Sequence, residues 1–184
     1  KIKSFEISPD ANERIYGKIV FTADAQGVWH GAIEHYKADL SQLKATFDAV
    51  AAKVAVAGKE QQSGVTANDF SRPVVYRLYA TDGQYKEFTV QLKNGSGTGL
   101  PIVAILTEGN EPITSKEKWL PGRIVFDPQE SGYPALASEI EVKGRGNNTW
   151  RLPKKPYAVK LAEKNSVLDM KKHKRWVLLA NASD

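Results

Sequence analysis

The sequence predicts a mainly β protein. Short runs in which apolar and polar residues alternate, with the two-residue period of strands, recur through both halves of the 184 residues. Turn residues separate these runs, and no segment shows the long apolar repeat of an amphipathic helix. The composition agrees, because 41% hydrophobic and 26% charged residues are typical of globular domains and exclude collagen-like and wholly disordered chains.

The first half is predicted to be an immunoglobulin-like β-sandwich, because about seven short strands in about 95 residues are typical of that fold. Residues 81–84 (TDGQ) predict a hairpin, since glycine accepts a positive φ. Residues 39–52 have a composition that also suits a helix, and we prefer a strand plus a turn. The expected strands are 2–7, 16–22, 28–33, 53–57, 74–79 and 85–92.

The segment 94–99 (NGSGTG) predicts a break between two domains, since three glycines with Ser, Thr and Asn are typical of a flexible joint. We therefore expect a first domain at 1–94, a linker at 95–99 and a second domain at 100–184.

The second half is also rich in strand patterns. Ser115–Trp119 is predicted to form a short helical turn, with Thr114 or Ser115 as its cap. The expected strands are 102–106, 123–126, 138–143, 157–161 and 175–180.

Charge and residue types narrow the chemistry. Residues 143–175 carry 11 basic and 2 acidic side chains, which indicates an anionic partner such as phosphate, nucleic acid or acidic glycan. The absence of cysteine excludes disulfides, thiolate zinc and a cysteine nucleophile. His30 and His35 lie five apart, which does not fit a helical zinc motif, and no metal site is expected. No apolar stretch approaches the ~20 residues that cross a bilayer, so no transmembrane segment is expected in this chain.

The stretch 141–161 (EVKGRGNNTWRLPKKPYAVKL) predicts one way of holding phosphates. Gly144 and Gly146 leave backbone amides accessible, Arg145 supplies a forked donor, and Lys160 lies in the strand that follows. Amides over the phosphate oxygens and an ammonium from the next strand would then form a cradle. An ordinary hairpin with solvated lysines explains the same residues. Nucleic-acid binding would use these charges too, but no nucleic-acid motif accompanies them, so no nucleic-acid partner is expected.

Two family resemblances accompany these patterns. Residues 43–93, with "SGVTANDFS" and "PVVYRLYATDG", resemble sandwich modules at the front of exported bacterial surface proteins. Residues 98–184 carry "LPIVAILTE", "PITSK", "VKGRGNNTW", "PKKPY", "KL" and "KRWVLLAN" in order and resemble the CotH family, which is named for a spore-coat protein and comprises atypical protein kinases.

The CotH resemblance implies a strand-rich, incomplete N-terminal part of an α+β kinase-like domain. It also implies that the full-length protein binds ATP with Mg²⁺ or Mn²⁺ and phosphorylates protein hydroxyls, in an exported setting at the cell surface, in the periplasm or on a lipid anchor. Lys160 is the first choice for the lysine that meets the α and β phosphates, with Lys154 and Lys155 as rivals. The expected nucleotide-binding residues are Lys160, Arg145, Gly144, Gly146, Asn147 and Lys155.

The resemblance assigns no catalytic or metal-binding residue to this chain. In the family the acidic groups that orient the nucleophile and hold the metal lie downstream of the "LLAN" block, and Asp169 and Asp184 do not match them. We therefore expect this fragment to be inactive by itself. The rival hypothesis is a non-enzymatic surface scaffold that binds a protein or a glycan.

Overall fold

The structure is a computed structural model, and it describes residues 1–180. The chain divides into two compact units, Lys1–Thr98 and Gly99–Asp184, and the division falls within the predicted linker. Both units are built from strands, which confirms the mainly β prediction. Within residues 1–180 the only helices are two short 3-10 turns, Glu108–Asn110 and Asn148–Arg151, and neither is long and apolar enough to cross a membrane.

The first unit contains three sheets. Its strands are β1 (Ile2–Ile7), β2 (Ile19–Val20), β3 (Thr22–Ala23), β4 (Trp29–Ala32), β5 (Leu43–Lys44), β6 (Thr46–Ala49), β7 (Lys53–Val56), β8 (Lys59–Glu60), β9 (Ala67–Asn68), β10 (Val74–Tyr79) and β11 (Tyr85–Lys93). One sheet has the order β2-β1-β6, the largest has the order β3-β4-β11-β10-β7-β8, and β5 pairs with β9. The β4–β11 pair is parallel, whereas the other pairs are antiparallel.

An aromatic cluster forms the core of the first unit. The ring of Phe5 on β1 lies 5.2 Å, centroid to centroid, from both Phe21 and Tyr76. Tyr76 in turn lies 5.2 Å from Phe88 on the neighbouring strand. Because Phe5 belongs to the three-stranded sheet and Tyr76 and Phe88 to the six-stranded one, the core lies between these sheets. Each ring buried in this way contributes about 1.5–3 kcal/mol of apolar transfer free energy.

The start of the predicted linker is packed into the first unit. The Asn94 side chain donates to the carbonyl of Ala38 at 2.8 Å and accepts from its N–H at 3.0 Å. A Cβ on Gly95 would lie 2.8 Å from the carbonyl oxygen of Ile33. Close backbone approach, and not chain flexibility, therefore explains glycine at position 95.

The second unit is a five-stranded antiparallel sheet in which each strand pairs with the next along the chain. Its strands are β12 (Ile102–Thr107), β13 (Leu120–Asp127), β14 (Leu136–Gly144), β15 (Tyr157–Asn165) and β16 (His173–Leu178). All five predicted strands are present; four of them extend further than the sequence pattern indicated, and the one predicted at 175–180 lies two residues earlier, at His173–Leu178.

The two faces of this sheet differ in chemistry. One face, the core face, carries buried apolar side chains, among them Ile124, Val142, Val159 and Leu161. The other face, the Lys160 face, carries the residues that alternate with these: Arg123, Val125 and Asp127 on β13, Glu139, Glu141 and Lys143 on β14, Ala158 and Lys160 on β15, and Arg175 and Val177 on β16.

The structure agrees with one local prediction and corrects another. Residues 39–52 form β5 and β6, so the preference for strand over helix is confirmed. The helical turn predicted at Ser115–Trp119 is wrong. Ser115 Oγ does accept the N–H groups of Glu117 and Lys118, both at 3.0 Å, as a helix cap would. The chain then becomes extended, because Leu120 is buried as the first residue of β13.

Candidate functional site

The predicted phosphate loop is the connection between β14 and β15. The pair Gly144–Tyr157 closes the two strands, and Arg145 N–H donates to the carbonyl of Pro156 at 3.1 Å. Gly144 N–H donates to the carbonyl of Ser115 at 2.8 Å. Two of the amides expected to face phosphate are therefore already bonded within the protein.

Side chains of the loop occupy the space beside both glycines. A Cβ on Gly144 would lie 2.5 and 2.8 Å from ring carbons of Trp150. Gly146 has φ of 90° and faces the hydroxyl of Thr149. Since Gly144 shares its sheet face with Val142, Trp150 packs on the core face. These glycines accommodate the loop's own side chains.

Lys155 is also held by the loop. Its Nζ donates to the carbonyl of Trp150 at 2.7 Å and lies 5.3 Å from the centroid of that ring. Arg145 and Asn147 are exposed, and the Asn147 carbonyl accepts the N–H of Trp150 at 3.2 Å. The loop residues thus cluster together at one end of the sheet.

Lys160 lies elsewhere. It stands directly opposite Glu141 in the β14–β15 register, three residues from the Gly144–Tyr157 pair, or about 10 Å along the strand. Its Nζ forms an ion pair with Glu141 Oε2. It points to the Lys160 face, whereas Trp150 packs on the core face. Five of the six predicted residues therefore belong to this loop or its ends, whereas Lys160 lies about 10 Å along the strand from the closing pair. A single cradle of loop amides and Lys160 is not formed.

The Lys160 face holds groups that the sequence analysis did not assign to a site. Arg175 pairs with Lys160 across β15 and β16, and Lys143 lies one strand away on β14. Trp119 lies beside Lys143, whose Nζ is 4.9 Å from the indole centroid. Glu141 and Lys143 could have been placed beside Lys160 only if the strand register had been known, and a connection of twelve residues leaves that register open.

The first unit contains a groove of about 920 Å³ that is lined by residues 17–20, 30–36, 70–73 and 91–93. Its lining includes both His30 and His35.

The two histidines have carboxylate neighbours. His30 Nε2 lies 2.7 Å from Asp24 Oδ2, whereas His35 is 3.7 Å from Glu34. The His30 hydrogen bond, supported by the N–H groups of Val28 and Gln26, holds the pKa of Asp24 below its ordinary value. Across residues 1–180 no group of three or more His, Asp or Glu side chains is placed to hold a metal ion.

Comparison with known proteins adds nothing to this geometry. No protein family matches the chain, and no curated protein or solved structure matches it. Any function therefore has to be argued from the residues themselves. Asn181, which ends the last CotH-like block, and Asp184 lie outside the described residues.

Proposed function

We propose that the second unit is the strand-rich half of a CotH-like phosphotransfer domain, with Lys160 as the cation that meets the nucleotide phosphates. The observation that carries the proposal is the ion pair between Lys160 and Glu141 on an accessible sheet face. In protein kinases a strand lysine meets the α and β phosphates while a glutamate holds its ammonium in place. Here the glutamate comes from the adjacent strand and not from a helix.

The surroundings of Lys160 support this role. Its side chain is 38% exposed, so the ammonium can exchange part of its contact with Glu141 for a ligand. Arg175 lies beside it and is exposed. An arginine fork can bind phosphate oxygens in pairs, which a lysine cannot do. This proposal does not require Gly144 and Gly146 to contact the same phosphates.

The proposal extends to the longer protein and its setting. Mg²⁺ or Mn²⁺ would be needed to neutralise the phosphates, and its ligands and the catalytic carboxylates would come from residues outside this chain. The acceptor would be a protein hydroxyl. The first unit would serve as an immunoglobulin-like front module of an exported protein at the cell surface, in the periplasm or on a lipid anchor.

The test is calorimetric titration of this chain with ATP and Mg²⁺. Lys160→Ala is compared with Lys155→Ala, which removes the same charge from the loop. We expect Lys160→Ala to weaken binding about tenfold or more and Lys155→Ala to leave it nearly unchanged, and binding should weaken as salt is added. Binding that depends on Lys155 and not on Lys160 would contradict the assignment. Lys160→Ala should also abolish phosphotransfer by the full-length protein.

A second candidate function, a non-enzymatic scaffold for a protein or glycan, is favoured by the groove of the first unit. Glycan binding would need exposed tryptophans, and two of the three candidates, Trp29 and Trp150, have packing roles within their own units. Trp29 packs against the core of its unit, Trp150 covers Gly144, and Trp119 lies against Lys143. No ATP binding by the intact chain would favour this candidate.

A further inference from the structure

Trp119 is the large aromatic side chain on the Lys160 face. It lies immediately before β13 and is 38% exposed. The other tryptophans of the second unit have packing roles, because Trp150 covers Gly144 and Trp176 packs against the core. Packing within the unit does not account for the exposed indole of Trp119.

The indole of Trp119 contacts Lys143, and the segment before it is bonded to β14. Lys143 Nζ lies 4.9 Å from its centroid, which is a cation–π contact. Four residues earlier, the Ser115 carbonyl accepts the N–H of Gly144 at 2.8 Å, so the segment that leads to Trp119 is tied to β14. A ring held in this way loses little conformational entropy when a ligand stacks on it.

The strand register sets the spacing between Trp119 and Lys160. The Leu120–Val142 pair places Trp119 next to Lys143, and Lys143 pairs with Ala158, two residues before Lys160. Two strand spacings across the sheet and two residues along it amount to about 12 Å. A nucleoside triphosphate is long enough to stack its base on Trp119 and lay its phosphates beside Lys160.

The charge of the face also suits such a ligand. The paired strand residues of this face include four cations and three carboxylates, so positive charge is in excess by one even after the Lys160–Glu141 pair is counted. The aromatic group lies at one side of the face and Arg175 at the other, as the base and the phosphates of a nucleotide would require. These charged side chains are Arg123, Lys143, Lys160, Arg175, Asp127, Glu139 and Glu141.

We propose that Trp119 is the platform on which the base of a nucleoside triphosphate stacks while its phosphates lie at Lys160 and Arg175. This inference rests on the proposed function, because it assigns the base end of the same site. Trp119, Lys160 and Arg175 all belong to the second unit, so the inference can be tested on this chain.

The experiment titrates the chain with two ligands, ATP and inorganic tripolyphosphate, both with Mg²⁺. Trp119→Ala should weaken ATP binding about tenfold or more, as loss of one base–aromatic stack does, and should leave tripolyphosphate binding unchanged. Lys160→Ala should weaken the binding of both ligands. Trp119→Phe keeps an aromatic face and should retain most of the ATP affinity, which also guards against a folding defect in the alanine variant.

The outcomes separate the two proposals. If the chain binds ATP no better than tripolyphosphate, or if Trp119→Ala leaves ATP binding intact while Lys160→Ala weakens it, the base platform is refuted and the phosphate site stands. If neither ligand binds the unaltered chain, the phosphate site fails, and the base platform fails with it. Loss of affinity for both ligands in Trp119→Phe would also overturn the inference, because the tryptophan would then be structural.

Discussion

Gly144→Ala is the substitution that most sharply tests how the β14–β15 loop packs. The added methyl carbon would lie 2.5 and 2.8 Å from two ring carbons of Trp150. Carbon atoms in contact are separated by ~3.5 Å, so the indole would have to move by roughly 1 Å. Lys155 holds the backbone of Trp150, which limits that movement. Overpacking of this kind costs about 1–3 kcal/mol.

The assay is urea unfolding followed by tryptophan fluorescence, on Gly144→Ala, Trp150→Ala and the double variant. If the indole is the obstacle, the double variant should be no less stable than Trp150→Ala alone, because the clash disappears with the ring. Additive losses would refute the reasoning, since the methyl group would then be meeting some other part of the structure. They would also remove the observation that places the loop on the core face.

Three further outcomes are expected. Gly95→Ala should destabilise the first unit by about 1–3 kcal/mol, because the added Cβ would meet backbone atoms. Gly97→Ala should be nearly neutral, since a Cβ there meets nothing within 4 Å, and thermal unfolding of the two variants compares these effects. Asn12→Ala should cost about 1–3 kcal/mol in chemical unfolding, since this buried amide makes three backbone hydrogen bonds, and an unchanged midpoint would contradict that role. Asp24 should titrate below its ordinary pKa in NMR spectra. Its contribution to stability is therefore present above that ordinary pKa and is lost as the pH falls through the lowered pKa. His30→Ala should raise the pKa of Asp24 again, and an unchanged Asp24 pKa in this variant would contradict the role of the hydrogen bond.

Most strands could be predicted because their signal is local. Alternation in 74–79 and 85–92, with Gly83 between them, specifies a hairpin without reference to the rest of the chain, and the structure has that hairpin in full register. The same holds for the β15 pattern, in which Val159 and Leu161 are buried and Lys160 is not.

The site could be predicted only in part, because it depends on register and on loop packing. Nothing local to Gly144 shows that Trp150, six residues later, will occupy the space beside it. Glu141 stands opposite Lys160 because the connection between β14 and β15 closes at the Gly144–Tyr157 pair, and that closure depends on contacts made on folding. The Ser115–Trp119 error has the same origin, since burial of Leu120 overrides a local capping signal.

The most direct test of the account is an NMR titration of the chain with ATP and Mg²⁺, after isotope labelling of its lysine side chains. The resonance of the Lys160 side chain is expected to shift most, that of Lys143 less, and those of Lys154 and Lys155 hardly at all. Shifts confined to Lys154 and Lys155, with Lys160 unchanged, would place any nucleotide at the loop and contradict the assignment of phosphate binding to the Lys160 face.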